Sequence, residues 1–289
     1  TRRGLALSTD GNGRYTYLDP FAGGAMAVAE AARNVVCSGA RPLAITNCLN
    51  FGNPERPDVF YQLKEAIRGM AAACRRLRVS VISGNVSLYN EAQGQAIYPT
   101  PVVGMLGVLS DLGRRCPSGF RGEGDLVLLL GPWGGGASSL GGSLYLDMAH
   151  GLVAGRPRID LNMERRVQRL CLSAMRRGLV RSAHDCSDGG LLVALVEACI
   201  MGGVGFRGGD WRVEDRWDAA LFGEAPSRIV VSVSPEFVPA LEALASRLRV
   251  PVTKLGATGG TRVTVSGLTD LSLDEIGRAW RGGLEGAVG

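Results

Sequence analysis

Pro42-Leu43-Ala44-Ile45-Thr46-Asn47-Cys48-Leu49-Asn50-Phe51-Gly52-Asn53-Pro54 is the stretch that decides the fold. Its apolar run ends abruptly in amides and turn formers, as a strand does where it meets a polar turn. The pattern recurs downstream, where Val79-Ser80-Val81-Ile82 runs into Ser83-Gly84-Asn85-Val86-Ser87-Leu88-Tyr89-Asn90-Glu91. Between the two, from Asp58, the apolar positions Phe60, Leu63, Ile67, Met70, Cys74 and Leu77 recur every three or four residues. That spacing predicts an amphipathic helix of about five turns with those side chains packed inward. Strand, helix and strand indicate an α/β unit, with both polar turns at strand ends, where such folds place ligands.

Upstream, Leu5–Ser8 leads into Thr9-Asp10-Gly11-Asn12-Gly13-Arg14-Tyr15-Thr16-Tyr17. Gly-Asn-Gly between strand-like flanks predicts a turn, with Arg14–Tyr17 as the returning strand and Asp10 as a turn residue. Gly24–Ser38 reads as a helix rich in Ala and Val, stopped by Gly39. Glu30 and Asn34 share one face of it; in so apolar a run they either point to solvent or meet a cation. Further on, Pro101–Leu109 is another strand, linked through Gln93–Ala96, and the unit ends near Cys116-Pro117-Ser118-Gly119. We therefore place an N-terminal α/β domain over residues 1–118.

The second unit, residues 119–289, opens with the apolar strand Asp125–Leu130 and a glycine-rich loop, Gly131-Pro132-Trp133-Gly134-Gly135-Gly136, that continues to Ser143. Backbone N–H groups of such loops can receive phosphate, but no GxxxxGK[ST] is present and a loop without a ligand reads equally well. Asp160 predicts the N-cap of a helix whose apolar face is Met163, Val167, Leu170 and Ala174, ending at Gly178. The strand Leu179–Ala183 then runs into His184-Asp185-Cys186-Ser187-Asp188-Gly189-Gly190, and Leu191–Ile200 follows as a buried helix. Its N-terminus beside Ser187 suits an anionic oxygen and Asp185 suits a cation, while capping by Ser187 or Asp188 explains the same residues. A strand at Arg228–Val233, a helix at Glu236–Arg247 and a polar, glycine-containing tail complete a second α/β unit.

With 289 residues, 46% of them hydrophobic, the chain can bury the core of two ordinary domains. No apolar run reaches transmembrane length and Thr1-Arg2-Arg3-Gly4 lacks a signal-peptide core, which predicts a cytoplasmic protein without a membrane partner. The missing initiating Met, followed almost at once by a strand-like segment, predicts the downstream part of a longer polypeptide. The formal charge of +5 invites a nucleic-acid reading. Yet only Lys64 and Lys254 are lysines, and the arginines are spread along the chain without an aromatic stripe, so no nucleic-acid partner is expected. Seven cysteines without CxxC spacing, beside only two histidines, argue against a disulfide framework or a zinc site.

Ala44–Pro54, Ser83–Glu91 and Ala183–Gly190 together resemble the second half of phosphoribosylformylglycinamidine synthase, the formylglycinamide ribonucleotide amidotransferase of purine synthesis. The likeness runs from Asp10-Gly11-Asn12-Gly13-Arg14-Tyr15 to Leu221-Phe222-Gly223-Glu224. It implies the aminoimidazole ribonucleotide synthetase-like fold, an N-terminal α/β domain joined to a C-terminal α+β domain, with two such N-terminal domains pairing their sheets around the active sites. The family's large subunit holds two tandem copies, and this chain resembles the second. The implied reaction uses ATP to phosphorylate an amide oxygen, after which ammonia from a glutaminase displaces phosphate. Phosphorylation turns a poor leaving group into a good one, and magnesium offsets the charge of the phosphates.

By this resemblance Gly84 lies against ATP, Asn85 is a magnesium ligand and Ser87 touches the ribonucleotide. Asn47 falls at a nucleotide contact where the family usually has Asp, so it keeps the hydrogen bond but not the charge. Asp10, Glu30, Asn34 and Asp185 match magnesium ligands of an auxiliary nucleotide site, and Ser187 a contact to its ADP or ATP. The implied partners are the synthase's first half and the glutaminase subunit, with room for a small accessory subunit. The family's catalytic histidine belongs to the first copy, so neither His150 nor His184 is assigned a catalytic role. A non-catalytic nucleotide-binding scaffold is the alternative from another class. Aminoimidazole ribonucleotide synthetase and selenophosphate synthetase are disfavoured by Gly84–Glu91.

Overall fold

Strict alternation of exposed and inward positions makes Gly4–Asp10 a strand, β1, with Ala6, Ser8 and Asp10 on its inner side. The computed structural model describes residues 2–134, 136–209, 211 and 216–288. No hairpin follows β1. Asn12 instead caps a short helix, α1 (Gly13–Leu18), its Oδ1 accepting from the N–H groups of Arg14 and Tyr15 at 3.0 and 3.3 Å. A sequence suited to a two-residue turn is equally suited to an N-cap, and the capped helix prevails over the expected returning strand. Helix α2 (Pro20–Cys37) starts four residues before the expected Gly24, because Asp19 caps Ala22 N–H at 3.0 Å and Pro20 takes the first helical position.

Strand β2 (Arg41–Asn50) runs straight through Asn47-Cys48-Leu49-Asn50, the residues expected to turn. Helix α3 (Pro57–Leu77) follows, then β3 (Ser80–Ser87), which likewise continues through Ser83-Gly84-Asn85-Val86. Both polar motifs are therefore strand, paired in parallel, with Asn47 opposite Gly84, Cys48 opposite Asn85 and Asn50 opposite Ser87. Ladder hydrogen bonds supplied by the neighbouring strand outweigh the weak β preference of Asn and Gly. A small hairpin, β4 (Glu91–Ala92) with β5 (Gln95–Ala96), leads to β6 (Thr100–Leu109). The sheet order is β1-β6-β2-β3, so β1 and β3 are its edges.

Helices α2 and α3 cover one face of this sheet. They approach closely: a Cβ on Gly69 would lie 1.9 Å from Phe21 O, and one on Gly24 2.3 Å from Ala66 O. The buried face of α3 is accordingly small-residued, with Val59, Ala66, Gly69, Met70, Ala73 and Cys74, whereas the expected core positions Phe60 and Ile67 are exposed. Contact between two helix backbones favours the small side chains over the large ones.

The C-terminal unit opens with β7 (Leu126–Leu130), α4 (Leu144–His150) and α5 (Leu161–Arg176), the last capped by Asp160 through Asn162 N–H at 2.8 Å. Then come β8 (Ser182–Asp185), α6 (Gly190–Gly202), β9 (Phe206–Gly208), α7 (Trp217–Phe222), β10 (Ile229–Val233) and α8 (Val238–Leu248). The residues expected to form a polar tail fold into β11 (Val252–Thr258), β12 (Arg262–Val265), β13 (Thr269–Ser272) and α9 (Leu273–Val288). These strands extend a seven-stranded sheet, β13-β12-β9-β11-β7-β10-β8, whose faces are packed by two apolar clusters. Helix α5 also contacts α2, and Val36 and Cys37 join the cluster around Leu170 and Cys171, so the two sheets share packing. Among the described residues no helix is long and apolar enough to cross a membrane.

Candidate functional site

Asp10 ends β1 on its inner side, where Asn34 of α2 donates to its Oδ1 at 2.8 Å. Glu30 stands one turn earlier on α2, and Arg33 immediately precedes Asn34. Arg33 is 2% exposed and faces three carboxylates: Glu164 of α5 at 3.0 Å, Asp185 of β8 at 3.8 Å and Glu30 at 3.9 Å. Glu30, Glu164 and Asp185 thus share one guanidinium, and Asp10, bonded to Asn34, lies close enough to feel its charge. Glu164 is fully buried and also accepts from Ser227 Oγ at 2.7 Å and Gln168 Nε2 at 2.8 Å. Arg33 and Glu164 were not singled out from the sequence; the available signal was a lone Arg three residues after Glu30 in an otherwise apolar helix.

Negative charge exceeds what Arg33 can balance. Burial pushes the Glu30 carboxyl up to about 8; Arg33 opposes this, while Asp185, Asp10 and Asp188 reinforce it. Asp10 and Asp185 are likewise raised, in each case by burial first. The Oδ2 atoms of Asp10 and Asp185 and the Nε of Arg33 are buried without a hydrogen-bond partner. Orphaned carboxylate oxygens and an amide are hard donors of the kind magnesium takes, so the donor set fits such an ion chemically. As they stand, no group of three or more His, Cys, Asp or Glu among the described residues is arranged to hold a metal. One Asp10 oxygen is engaged by Asn34, and Asp185 faces Arg33.

Ser187 and Asp188 lie in the turn before α6, but neither caps it. Gly189 is the N-cap, with no side-chain cap bond, and both Gly189 and Gly190 have positive φ, 77° and 74°. A side chain at 190 would also strike Gly223 O and Leu221 O at 2.8 Å, so glycine is required there. The anionic oxygen expected at this helix start is supplied by the protein: Glu224 Oε1 accepts from Gly189 N–H at 2.8 Å and from Leu144 N–H at 2.9 Å. Its other oxygen accepts from the buried Tyr15 hydroxyl. Asn12, besides capping α1, reaches Asp188 at 3.4 Å. His184 packs against the same turn, Nδ1 on Asp185 O at 2.8 Å and Nε2 on Glu197 at 3.3 Å, consistent with a positioning role.

The other predicted residues form a separate strip on β2 and β3. A Cβ at Gly84 would come within 2.7 Å of Asn47 Oδ1, so the two positions fit together across the strands. Asn85 Nδ2 contacts Cys48 Sγ at 3.4 Å. Ser87 Oγ and Asn90 exchange contacts at 3.1 and 3.2 Å, and Asn90 Nδ2 also holds Phe51 O at 3.1 Å. Ser80–Val86 are all exposed on an edge strand. One row of the sheet, Asp10, Val103, Asn47 and Gly84, links strip and cleft. Three strand spacings put its ends roughly 14 Å apart. The predicted residues therefore form two groups in space, one at each end of this row.

Fold and site define a class, a two-unit α/β and α+β protein with hard oxygen donors collected at strand ends between its units. Residues 1–109 match the family described as AIR synthase related protein, N-terminal domain, and residues 122–267 its C-terminal domain. The chain belongs to the AIR synthase related family. It is 53% identical to phosphoribosylformylglycinamidine synthase subunit PurL of Thermomicrobium roseum, over 98% of this chain and 39% of the relative. The PurL subunit of Moorella thermoacetica is 51% identical, over 97% and 38%. The chain thus spans about two fifths of the length of the curated relatives it matches. Among solved structures, T. maritima PurL complexed with FGAR has a TM-score of 0.80 at 19% identity, over 95% of this chain and 46% of that one. The same protein complexed with ATP gives 0.74, and in the PurLQS structure 0.75, each at 19% identity over 95% of this chain and 44% of that one. At that identity these structures speak for the fold.

Proposed function

We propose that this chain contributes one part of a composite ligase site that converts formylglycinamide ribonucleotide to its amidine with ATP and ammonia in purine biosynthesis. The observation that carries this reading is the 53% identity to a phosphoribosylformylglycinamidine synthase subunit along 98% of the chain. In this reading the division falls at 118/119, the N-terminal sheet meets that of the synthase's first half, and the exposed strip on β3 faces the shared site. Leu5 and Leu7, 71% and 79% exposed on the opposite edge strand, suit a sheet that packs against another protein surface.

Gly84 lets ATP approach the backbone, Asn47 hydrogen-bonds the nucleotide, and Asn85 supplies an amide oxygen to magnesium. Ser87, held by Asn90, donates to the ribonucleotide. When bound, magnesium would offset phosphate charge. The acidic cleft serves a second, structural Mg-nucleotide, ADP or ATP: Asp10, Glu30, Asn34 and Asp185 toward the cation and Ser187 toward the nucleotide. A glutaminase subunit supplies ammonia, a small accessory subunit completes the assembly, and the enzyme works in the cytoplasm.

The unpartnered Asp10 and Asp185 oxygens favour an additional scaffold role for the cleft, since all its donors come from this chain. The chain alone should then bind Mg-ADP in a titration yet form no amidine, and adding the first half of the synthase should restore turnover. Turnover by this chain alone, at a rate comparable with the whole enzyme, would overturn the composite reading.

A further inference from the structure

The arginines spread along the sequence do not stay spread. Arg114, Arg115 and Arg121 come from the connection between the two sheets, Arg176 and Arg177 from the end of α5, and Arg181 from the approach to β8. Together they line a cavity of about 380 Å³. It shares no lining residue with the acidic cleft or with the strip on β2 and β3.

Little negative charge answers this gathering. Arg181 pairs with the buried Asp125 at 3.0 Å and Arg114 lies 3.7 Å from Asp111, but the other four have no ion-pair partner among the described residues. Arg114 also donates to Arg176 O at 2.6 Å, which ties the connection to the end of α5. Two arginines are thus held in place while four present free guanidinium forks. Like charges drawn together at a concave surface repel one another, and an anion that enters relieves that repulsion while finding its hydrogen-bond donors already assembled. The planar fork matches the oxygens of a phosphate two at a time. The volume is that of a small-molecule site, and no aromatic side chain lines it for base stacking, which disfavours single-stranded nucleic acid.

We propose that this cavity is a binding site for a small phosphate-bearing anion, a diphosphate or phosphate monoester, taken up without magnesium. Because its arginines come from the inter-sheet connection and from the C-terminal unit, the bound anion bridges the two and stiffens their junction.

The test is isothermal titration of the chain with pyrophosphate in magnesium-free buffer, repeated on an Arg115→Gln/Arg177→Gln double variant and on Arg68→Gln, which removes an exposed arginine on α3. The chain should bind pyrophosphate with an affinity that falls as sodium chloride is raised, the double variant should bind at least about tenfold more weakly, and Arg68→Gln should bind as the parent does. Thermal melting checks the fold of each variant; if the double variant melts early, Arg121→Gln is read in the same assay and should weaken binding. No binding at millimolar pyrophosphate, or unchanged affinity in the folded arginine variants, overturns the proposal. So does binding of a polyglutamate peptide or an oligonucleotide where pyrophosphate does not bind.

Discussion

The cleft around Arg33 and the strip on β2 and β3 handle polar groups in opposite ways. In the cleft, carboxylates from α2, α5 and β8 share one guanidinium with Asp10 of β1 close by, and burial together with neighbouring carboxylates raises Glu30, Asp10 and Asp185. On the strip the groups are neutral, lie on the edge strand β3 and its neighbour β2, and make short contacts among nearby residues. A buried, mutually coupled set is complete within this chain and sensitive to every member. An exposed, neutral set leaves the fold nearly indifferent to its identity and becomes critical only when another surface closes over it.

The most damaging way to probe that contrast is Arg33→Ala. It leaves the fully buried Glu164 without its cation, and breaking a buried pair by removing one partner costs about 3–5 kcal/mol. Urea denaturation should report a loss of that size; a loss below about 1 kcal/mol would mean that the cleft is not held by its charges. On the strip, Ser87→Ala should leave the urea midpoint nearly unchanged. In the assembled enzyme it should lower kcat/KM by the worth of one hydrogen bond to a charged group, about 1.5–3 kcal/mol. If stability falls and kinetics do not, the strip is structural and the contrast fails.

The subtlest probe is pH. Glu30 is raised from an ordinary 4.5 to about 8, so across that window the folded chain holds a proton that the unfolded chain has released. Its contribution to stability is therefore present in full below 4.5 and is lost as pH rises through about 8. Asp185→Asn removes one of the charges that raises Glu30, so this fall in stability should be shallower in the variant. The same variant should bind Mg-ADP about tenfold more weakly, a difference near 1.4 kcal/mol. An unaltered pH profile together with unaltered Mg-ADP binding would separate Asp185 from the cleft's electrostatics.

Elements with a strong local signature could be read before any tertiary contact was known. The apolar runs of β7 and β6, the Asp160 cap of α5 and the almost wholly apolar helix α6 each carry their pattern within a few residues. Sequence reading failed where two local solutions were both acceptable. Asn12 could turn a hairpin or cap a helix, and Asn47 to Asn50 could turn or extend, with the choice made by β6 and β3 alongside. The buried face of α3 was misjudged for a related reason, since the small residues that matter there are selected by the backbone of α2.

The candidate residues were legible as a set through their motifs, and their chemistry follows from residue type alone: hard oxygens, amides, a hydroxyl and permissive glycines. Their division into two groups came from the family resemblance alone and is not given by residue type or spacing. Asp10 and Asp185 stand far apart in the chain, and only the packing of α2 against β1 and β8 brings one beside Asn34 and the other to Arg33. Glu224 at the start of α6 and the six arginines around one cavity depend in the same way on segments distant in sequence. Local hydrogen bonding and side-chain periodicity act between near neighbours and so can be read along a sequence, whereas burial and the coupling of charges depend on which distant surfaces meet. Those were fixed only when the two sheets and their helices packed together.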